Sequence, residues 1–331
     1  MTVIAVVDYK MGNLLSVERG LRAALESVER NEDVRITSDV SEIARARAIV
    51  LPGVGAFADA EASMRALRQK DVIAQRIRDG VPFLGICLGM HLLCDFGVEG
   101  AGDECDQQNE LTGESREVSA DRVVGTSREV SADQVAGGCQ ETCASEEARE
   151  SQEDGENQDI GASEEAGASQ DIGASLDKNV QPVPGMGFIS ETVDRLPSHD
   201  AQGEFYKVPH VGWNTVEPCS QLREQFGVRF PEQTFDSVAA SARELSGDFA
   251  PEQEFGSPLF NGINPGEFFY FTHSYFVPLC KQTIATTTHS LTFSSAVQIA
   301  PCAFGVQFHP EKSSDAGAKL LENFVRIALA D

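Results

Sequence analysis

Gly85-Ile86-Cys87-Leu88-Gly89 sets a cysteine between two glycines, at the end of an apolar run and the start of a helical one. That pattern is a nucleophile elbow, a strand-to-helix turn so tight that flanking glycines are needed and the reactive side chain is held above the sheet edge. The thiol would lie near a helix N-terminus, where unpaired N–H groups favour thiolate. The competing account makes Cys87 a small buried hydrophobe in a tight turn. Gly305-Val306-Gln307-Phe308-His309-Pro310-Glu311 supplies what a thiol lacks. A strand ending at Phe308 presents His309 as a general base, and Glu311 can return a carboxylate to the far ring nitrogen. Thiol, base and orienting acid are the minimum set for cysteine-based acyl transfer. A lone His-Pro-Glu would be a strand-end turn; an elbow cysteine upstream reverses that preference. Leu51-Pro52-Gly53-Val54-Gly55 adds a third part, because glycines on both sides of Val54 let its peptide plane rotate. The N–H groups of Val54 and Leu88 would then form an oxyanion hole, unless the segment is only a glycine-rich turn.

These groups need a scaffold that brings strand ends to one edge. Residues 3–7, 34–37, 48–51 and 82–86 are apolar or β-branched runs, and residues 14–25, 57–77 and 88–96 carry helical apolar spacing, with a weak helix around Ile43. Strands alternating with helices predict an α/β fold: three layers around a doubly wound, mostly parallel sheet. Ligands of such sheets bind beyond the carboxyl ends of the strands. Farther on, residues 205–208, 267–271, 275–277, 283–288 and 303–307 are strand candidates. Residues 315–330 form an amphipathic helix with Leu320, Leu321, Phe324 and Ile327 on its apolar side.

The net charge of −26 is concentrated, since residues 99–178 hold 22 acidic and 5 basic residues. Ser-Arg-Glu-Val-Ser-Ala-Asp occurs at 115–121 and again at 127–133, and Gln-Asp-Ile-Gly-Ala-Ser at 158–163 and 170–175. A small solenoid would repeat in this way. The segment has no aromatic residue and few large apolar side chains, however, which predicts a disordered insertion built by short duplications. The expected domain is therefore residues 1–98 with 180–331, interrupted at 99–179 and by a second polar stretch at 218–257. Such acidity argues against nucleic acid and against an anionic membrane as partner. The N-terminus has no basic signal-peptide region, the longest apolar run is too short for a bilayer, and the eight cysteines lack framework spacing. A cytoplasmic enzyme is the expectation. Cys139 and Cys143 have a metal-like spacing without a second ligand pair, so neither metal nor cofactor is expected. Cys94, Cys219, Cys280 and Cys302 carry no motif, and His199 and His210 look isolated.

Taken together, these motifs resemble the class I, triad-type glutamine amidotransferases, with Cys87, His309 and Glu311 matching nucleophile, base and orienting carboxylate in that order. Asp8-Tyr-Lys-Met-Gly-Asn13-Leu, Lys207-Val-Pro-His210-Val-Gly-Trp213-Asn214 and Phe269-Tyr-Phe-Thr-His273-Ser-Tyr275 narrow the resemblance to the glutaminase subunits of imidazole glycerol phosphate synthase. It covers nearly the whole chain outside the two interruptions. The resemblance implies glutamine as substrate and ammonia delivered through the interior of a (β/α)8-barrel cyclase subunit. It also implies glutamine contacts at Gly55, His91, Ser274 and Tyr275, and interface positions at Asn13, Trp213, Tyr270 and Lys312. Without it, these four would be a loop amide, a core indole, a strand aromatic and a solvated lysine. Four positions depart from the family pattern: Lys10 replaces a glycine, His91 a substrate-contacting glutamine, and His289-Ser290 a Tyr-Gly pair. Another glutamine amidotransferase or a stand-alone hydrolase with a cysteine elbow is a rival, although an esterase would place its acid between nucleophile and histidine. A catalytically silent binding subunit is a second, opposed by the intact triad.

Overall fold

The computed structural model describes residues 3–99, 182–219 and 255–330. Most of the acidic segment, with both repeats and Cys139 and Cys143, lies outside them, as does most of the second polar stretch. All the described residues belong to one compact unit.

The N-terminal part alternates as its apolar runs predict: β1 (Val3–Val7), α1 (Leu14–Ser27), β2 (Asp33–Thr37), α2 (Val40–Arg45), β3 (Ala48–Gly53), α3 (Phe57–Ala66), α4 (Lys70–Arg78), β4 (Phe83–Cys87) and α5 (Leu88–His91). β5 (Cys94–Gly97), β6 (Val183–Pro184), β7 (Ile189–Arg195), β8 (His210–Pro218), β9 (Glu267–His273), β10 (Tyr275–Phe276), β11 (Thr283–Thr288), β12 (Thr292–Ala300) and β13 (Ala303–Val306) follow, and α6 (Ser314–Ala328) closes the chain. The main sheet runs β2-β1-β3-β4-β13-β12-β11-β8-β9. Its first five strands are mutually parallel, and the remaining four continue antiparallel.

Covered on both faces, the central strands are apolar at every position, and successive residues enter opposite layers. Ile4, Val6 and Val50 pack with Val17 and Leu21 of α1 and Leu320 and Phe324 of α6. Ala5, Val7, Ile49 and Leu51 pack with Ile43, Phe57, Met64 and Ile73 on the other side. A second sheet, β10-β7-β5-β6, joins this latter layer through Cys94, Ile189 and Val193, with Val277 just after β10. The α/β expectation holds, and the antiparallel half is the part that spacing did not reveal. Among the described residues no helix is long and apolar enough to cross a membrane.

Three local expectations change. The helix expected over 88–96 stops at His91, because Cys94–Gly97 is drawn into a ladder with β7, from beyond the acidic segment. The helix expected over 57–77 is two helices, broken where Arg68 takes φ +57°. Residues 205–208 make only one bridge, Phe205 to His199, since Pro209 has no N–H for a ladder and the strand begins at His210. Lys10, standing where glycine was expected, does adopt φ +71°, with its N–H on Asp8 Oδ1 at 2.9 Å. Left-handed backbone costs a side-chain-bearing residue about 1 kcal/mol. Lys10→Gly is therefore expected to raise the melting temperature by about 2–4 °C. A lower melting temperature would show that the Asp8 contacts outweigh the strain.

Candidate active site

Parallel pairing explains how residues more than two hundred positions apart meet. Gly53 is level with Cys87 across β3 and β4, and Val306 is level with Ile86 across β13 and β4. The strands all end on one edge, so the loops after β1, β3, β4 and β13 carry Tyr9, Val54, Cys87 and His309 to the same rim. Cys87 sits at φ +53°, ψ −107°, a conformation that costs a non-glycine residue about 1–3 kcal/mol and marks a strained elbow. Its flanking glycines are dictated by space. A Cβ on Gly89 would lie 1.8 Å from the Leu51 carbonyl oxygen, and one on Gly85 2.6 Å from that of Gly89. With only four residues in α5, the turn itself rather than a long helix dipole presents the sulfur.

His309 follows β13, its ring buried, and Nδ1–H donates to Glu311 Oε1 at 2.9 Å. That bond fixes the tautomer and directs Nε2 away from the carboxylate. Burial lowers the proton affinity of the ring, but Cys87 and then Glu311 outweigh it and raise the pKa to about 9. Cys87 is thus near enough to act on the imidazole, although Nε2 makes no hydrogen bond of ordinary geometry. The backbone of His309 is anchored as well. Its N–H donates to the Tyr270 carbonyl at 2.9 Å, its carbonyl accepts from Ser313 Oγ at 2.6 Å, and Ser313 Oγ accepts from Tyr270 N–H at 3.0 Å.

A cavity of about 350 Å³ opens over the thiol, lined by Val54, Gly55, Leu88, His91, Ser274 and Tyr275 among others. Gly55 has φ +122°, in keeping with a loop whose peptide planes turn freely there. The Ser274 carbonyl accepts from Leu196 N–H and the Tyr275 carbonyl from His273 Nδ1–H, both at 2.8 Å. His91 borders the cavity but points its Nε2 at Gln307 Oε1, 2.8 Å away. Burial, only partly opposed by that bond, lowers its pKa to about 4, so the ring is neutral.

Trp213, Tyr270 and Lys312 lie side by side on the outer face of β8–β9 and the turn after His309. The Trp213 and Tyr270 rings meet edge-on at 6.0 Å, and Lys312 Nζ is 5.8 Å from the centre of the Tyr270 ring. Val211, Trp213 and Phe268 are more than half exposed on that face, which is unusual for three large apolar side chains on one ribbon. Asn13 stands at the start of α1, its amide donating to Ser16 Oγ at 2.7 Å.

The model of the family described as glutamine amidotransferase class-I matches residues 5–174 and 224–328. The chain belongs to this family. The imidazole glycerol phosphate synthase subunit HisH of Moorella thermoacetica is 30% identical over 330 residues, covering 98% of this chain and 94% of that one. The proteins of the same name from Thiobacillus denitrificans and Geobacillus thermodenitrificans are 31% and 28% identical, covering 97% and 99% of this chain and 90% and 97% of theirs.

Three residues of the amidotransferase site have no signal in the sequence. Glu99 enters the cavity wall from the start of the acidic segment, its carboxylate accepting from Phe57 N–H at 3.3 Å. Burial raises its pKa to about 7 against the pull of that N–H, and Asp59 adds to the rise. Gln307 donates to Cys87 Sγ at 3.6 Å. Tyr9 is fully buried beneath Gly53, its hydroxyl without a partner, and its ionisation is pushed far up by burial and by Cys87. His210, isolated in sequence, bonds His273 Nε2 through Nδ1 at 3.0 Å and stacks on His289 with ring centres 4.2 Å apart.

Proposed function

We propose that this chain is the glutaminase subunit of an imidazole glycerol phosphate synthase, releasing ammonia from glutamine for a cyclase partner. The observation that carries this is the buried His309–Glu311 pair acting on an elbow cysteine at the floor of a cavity of amino-acid size. The relatives named as HisH, matched along nearly their whole length, supply the synthase. Residues 1–98 and 180–331 would form one amidotransferase domain, with 99–179 and 218–257 as insertions.

In this mechanism the Cys87 thiolate attacks the carboxamide carbon of glutamine. The oxyanion is received by the N–H groups of Val54 and Leu88, the latter lying outside the helix ladder as the first residue of α5. Glu99 receives the α-ammonium group, which ionises a carboxyl otherwise close to half-protonated at neutral pH. Gly55, Ser274 and Tyr275 hold the remaining polar groups through their backbones, and His91 walls the pocket. His309 protonates the departing nitrogen, the C–N bond breaks, and ammonia leaves a γ-glutamyl thioester. Water, deprotonated by the same ring, attacks the thioester, and glutamate and the Cys87 thiol are restored.

Ammonia lost to water would be protonated and no longer nucleophilic, so release must occur against a sealed partner. The exposed Val211, Trp213 and Phe268 ribbon, with Tyr270 and Lys312 beside it and Asn13 as a further contact, would supply that seal to a (β/α)8-barrel cyclase. Lys312 could pair with a carboxylate there. Because the Tyr270 backbone is bonded to His309, docking on this face would be felt at the base. The decisive measurement uses glutamine labelled with ¹⁵N in its amide, incubated with the chain and a barrel cyclase subunit with its nucleotide substrate. Label is expected in the imidazole product, with glutamate formed in equal amount and the rate falling as pH passes about 9, where His309 loses the proton it must donate. Glutamate without labelled product would leave a stand-alone glutaminase. Neither product would mean a silent subunit.

A further inference from the structure

Gln307 stands between two groups that the triad does not use. Its side chain is fully buried one residue past β13, whose last residue Val306 is level with Ile86, with Nε2–H donating to the Cys87 sulfur at 3.6 Å and Oε1 facing His91 Nε2 at 2.8 Å. An amide can be turned either way, so its direction must have a cause. His91 is buried and neutral, and therefore carries one ring proton. With that proton on Nε2, the ring donates to Gln307 Oε1 and leaves only a lone pair unpartnered at the enclosed Nδ1. With the proton on Nδ1, a buried N–H would be orphaned and the Gln307 carbonyl would turn toward a sulfur that must become an anion. Orphaned donors are the rarer and costlier defect, and a carbonyl facing a thiolate is repulsive. The first arrangement prevails, so His91 aims the Gln307 N–H groups at the nucleophile.

We infer that Gln307 is a further catalytic residue, its amide holding the Cys87 sulfur as thiolate, and that His91 is the positioning residue that sets the direction of that amide. This rests on Cys87 being the nucleophile of the proposed glutaminase. Among the described residues, the other titratable groups around the sulfur are His309 with Glu311 behind it, Tyr9 beneath Gly53, and Glu99, His273 and Tyr275 in the wall of the same cavity. Of these only His309 can donate with a positive charge. Gln307 adds a neutral donor in the two states where the sulfur is a thiolate, before it attacks glutamine and as it leaves the thioester, and it needs no proton transfer to do so. Aligned donors in a chain also strengthen one another in a low-dielectric interior.

The test is the pH dependence of Cys87 alkylation by iodoacetamide in the full chain without glutamine, followed by mass analysis of the Cys87 peptide, with folding checked by thermal melting. Gln307→Met, similar in volume but unable to donate, is expected to move the alkylation midpoint upward by about one pH unit, the loss of one charge-assisted donor. His91→Leu should move it the same way, the double variant no further than either, and His91→Gln, whose amide can still donate to Oε1, should restore it. If Gln307→Met does not fold, His91→Leu against His91→Gln reads the same relay from its other end. A midpoint unmoved in the folded variants, or two shifts that simply add, overturns the relay. Because alkylation needs no glutamine turnover, its outcome is separate from that of ammonia transfer, which alone decides the glutaminase assignment.

Discussion

Cys87→Ala abolishes ammonia release from glutamine, with a loss of at least about 10⁴-fold, because no other group can form the acyl intermediate. The sulfur is carried into the cavity by a strained backbone conformation, φ +53° and ψ −107°, at the strand-to-helix turn. Glu311→Gln behaves differently. An amide carbonyl can still accept from His309 Nδ1–H and keep the tautomer, but the negative charge that helps the ring hold its proton is gone. A loss of about 10²-fold is expected, with the alkaline fall in rate moving to lower pH. Stopped assays of glutamate formation, with the thioester trapped and weighed, distinguish the two variants. More than a hundredth of the parent rate in folded Cys87→Ala would place the chemistry elsewhere.

Gly89→Ala should cost about 3 kcal/mol or more of stability and most of the activity, as a single added methyl group. Its Cβ would lie 1.8 Å from the Leu51 carbonyl oxygen and 2.9 Å from the carbonyl carbon, both backbone atoms of a fully buried strand. Neither side can yield without moving β3 against the turn that carries Cys87. A drop in melting temperature of about 6–12 °C is expected. Gly80→Ala is the control, because nothing lies within 4 Å of its added Cβ. Its cost is only that of a φ of +80°, about 1 kcal/mol. If both alanines melt alike, close approach at the elbow is not what requires glycine there.

The elements that spacing identified best are those whose burial is repeated along the strand or helix itself. Val3–Val7, Ala48–Gly53 and Phe83–Cys87 are buried almost throughout, and α1 and α6 bury one stripe each. Less legible were segments whose partners are distant. Cys94–Gly97 reads as a continued helix because its ladder with Ile189–Arg195 is formed across the acidic segment. β8 mixes buried His210 and Val216 with exposed Val211 and Trp213, and that exposure is meaningful only as part of a two-strand face with Phe268.

The sequence by itself determined the chemistry, because a strained turn advertises its glycines and a triad needs particular residue types. Cys87, His309 and Glu311 could each be named from the few residues around them. It also determined the scaffold, since only strands buried on both faces have such unbroken apolar runs. Tertiary structure alone decided the company they keep. The pairing of β13 with β4 brought Gln307, just past it, to Cys87, the residues just after β5 put Glu99 in the cavity wall, and the pairing of β8 with β9 put His210 on His273. None of these contacts leaves a local trace, because a glutamine, a glutamate or a histidine acquires its direction and its proton affinity only from neighbours that folding supplies.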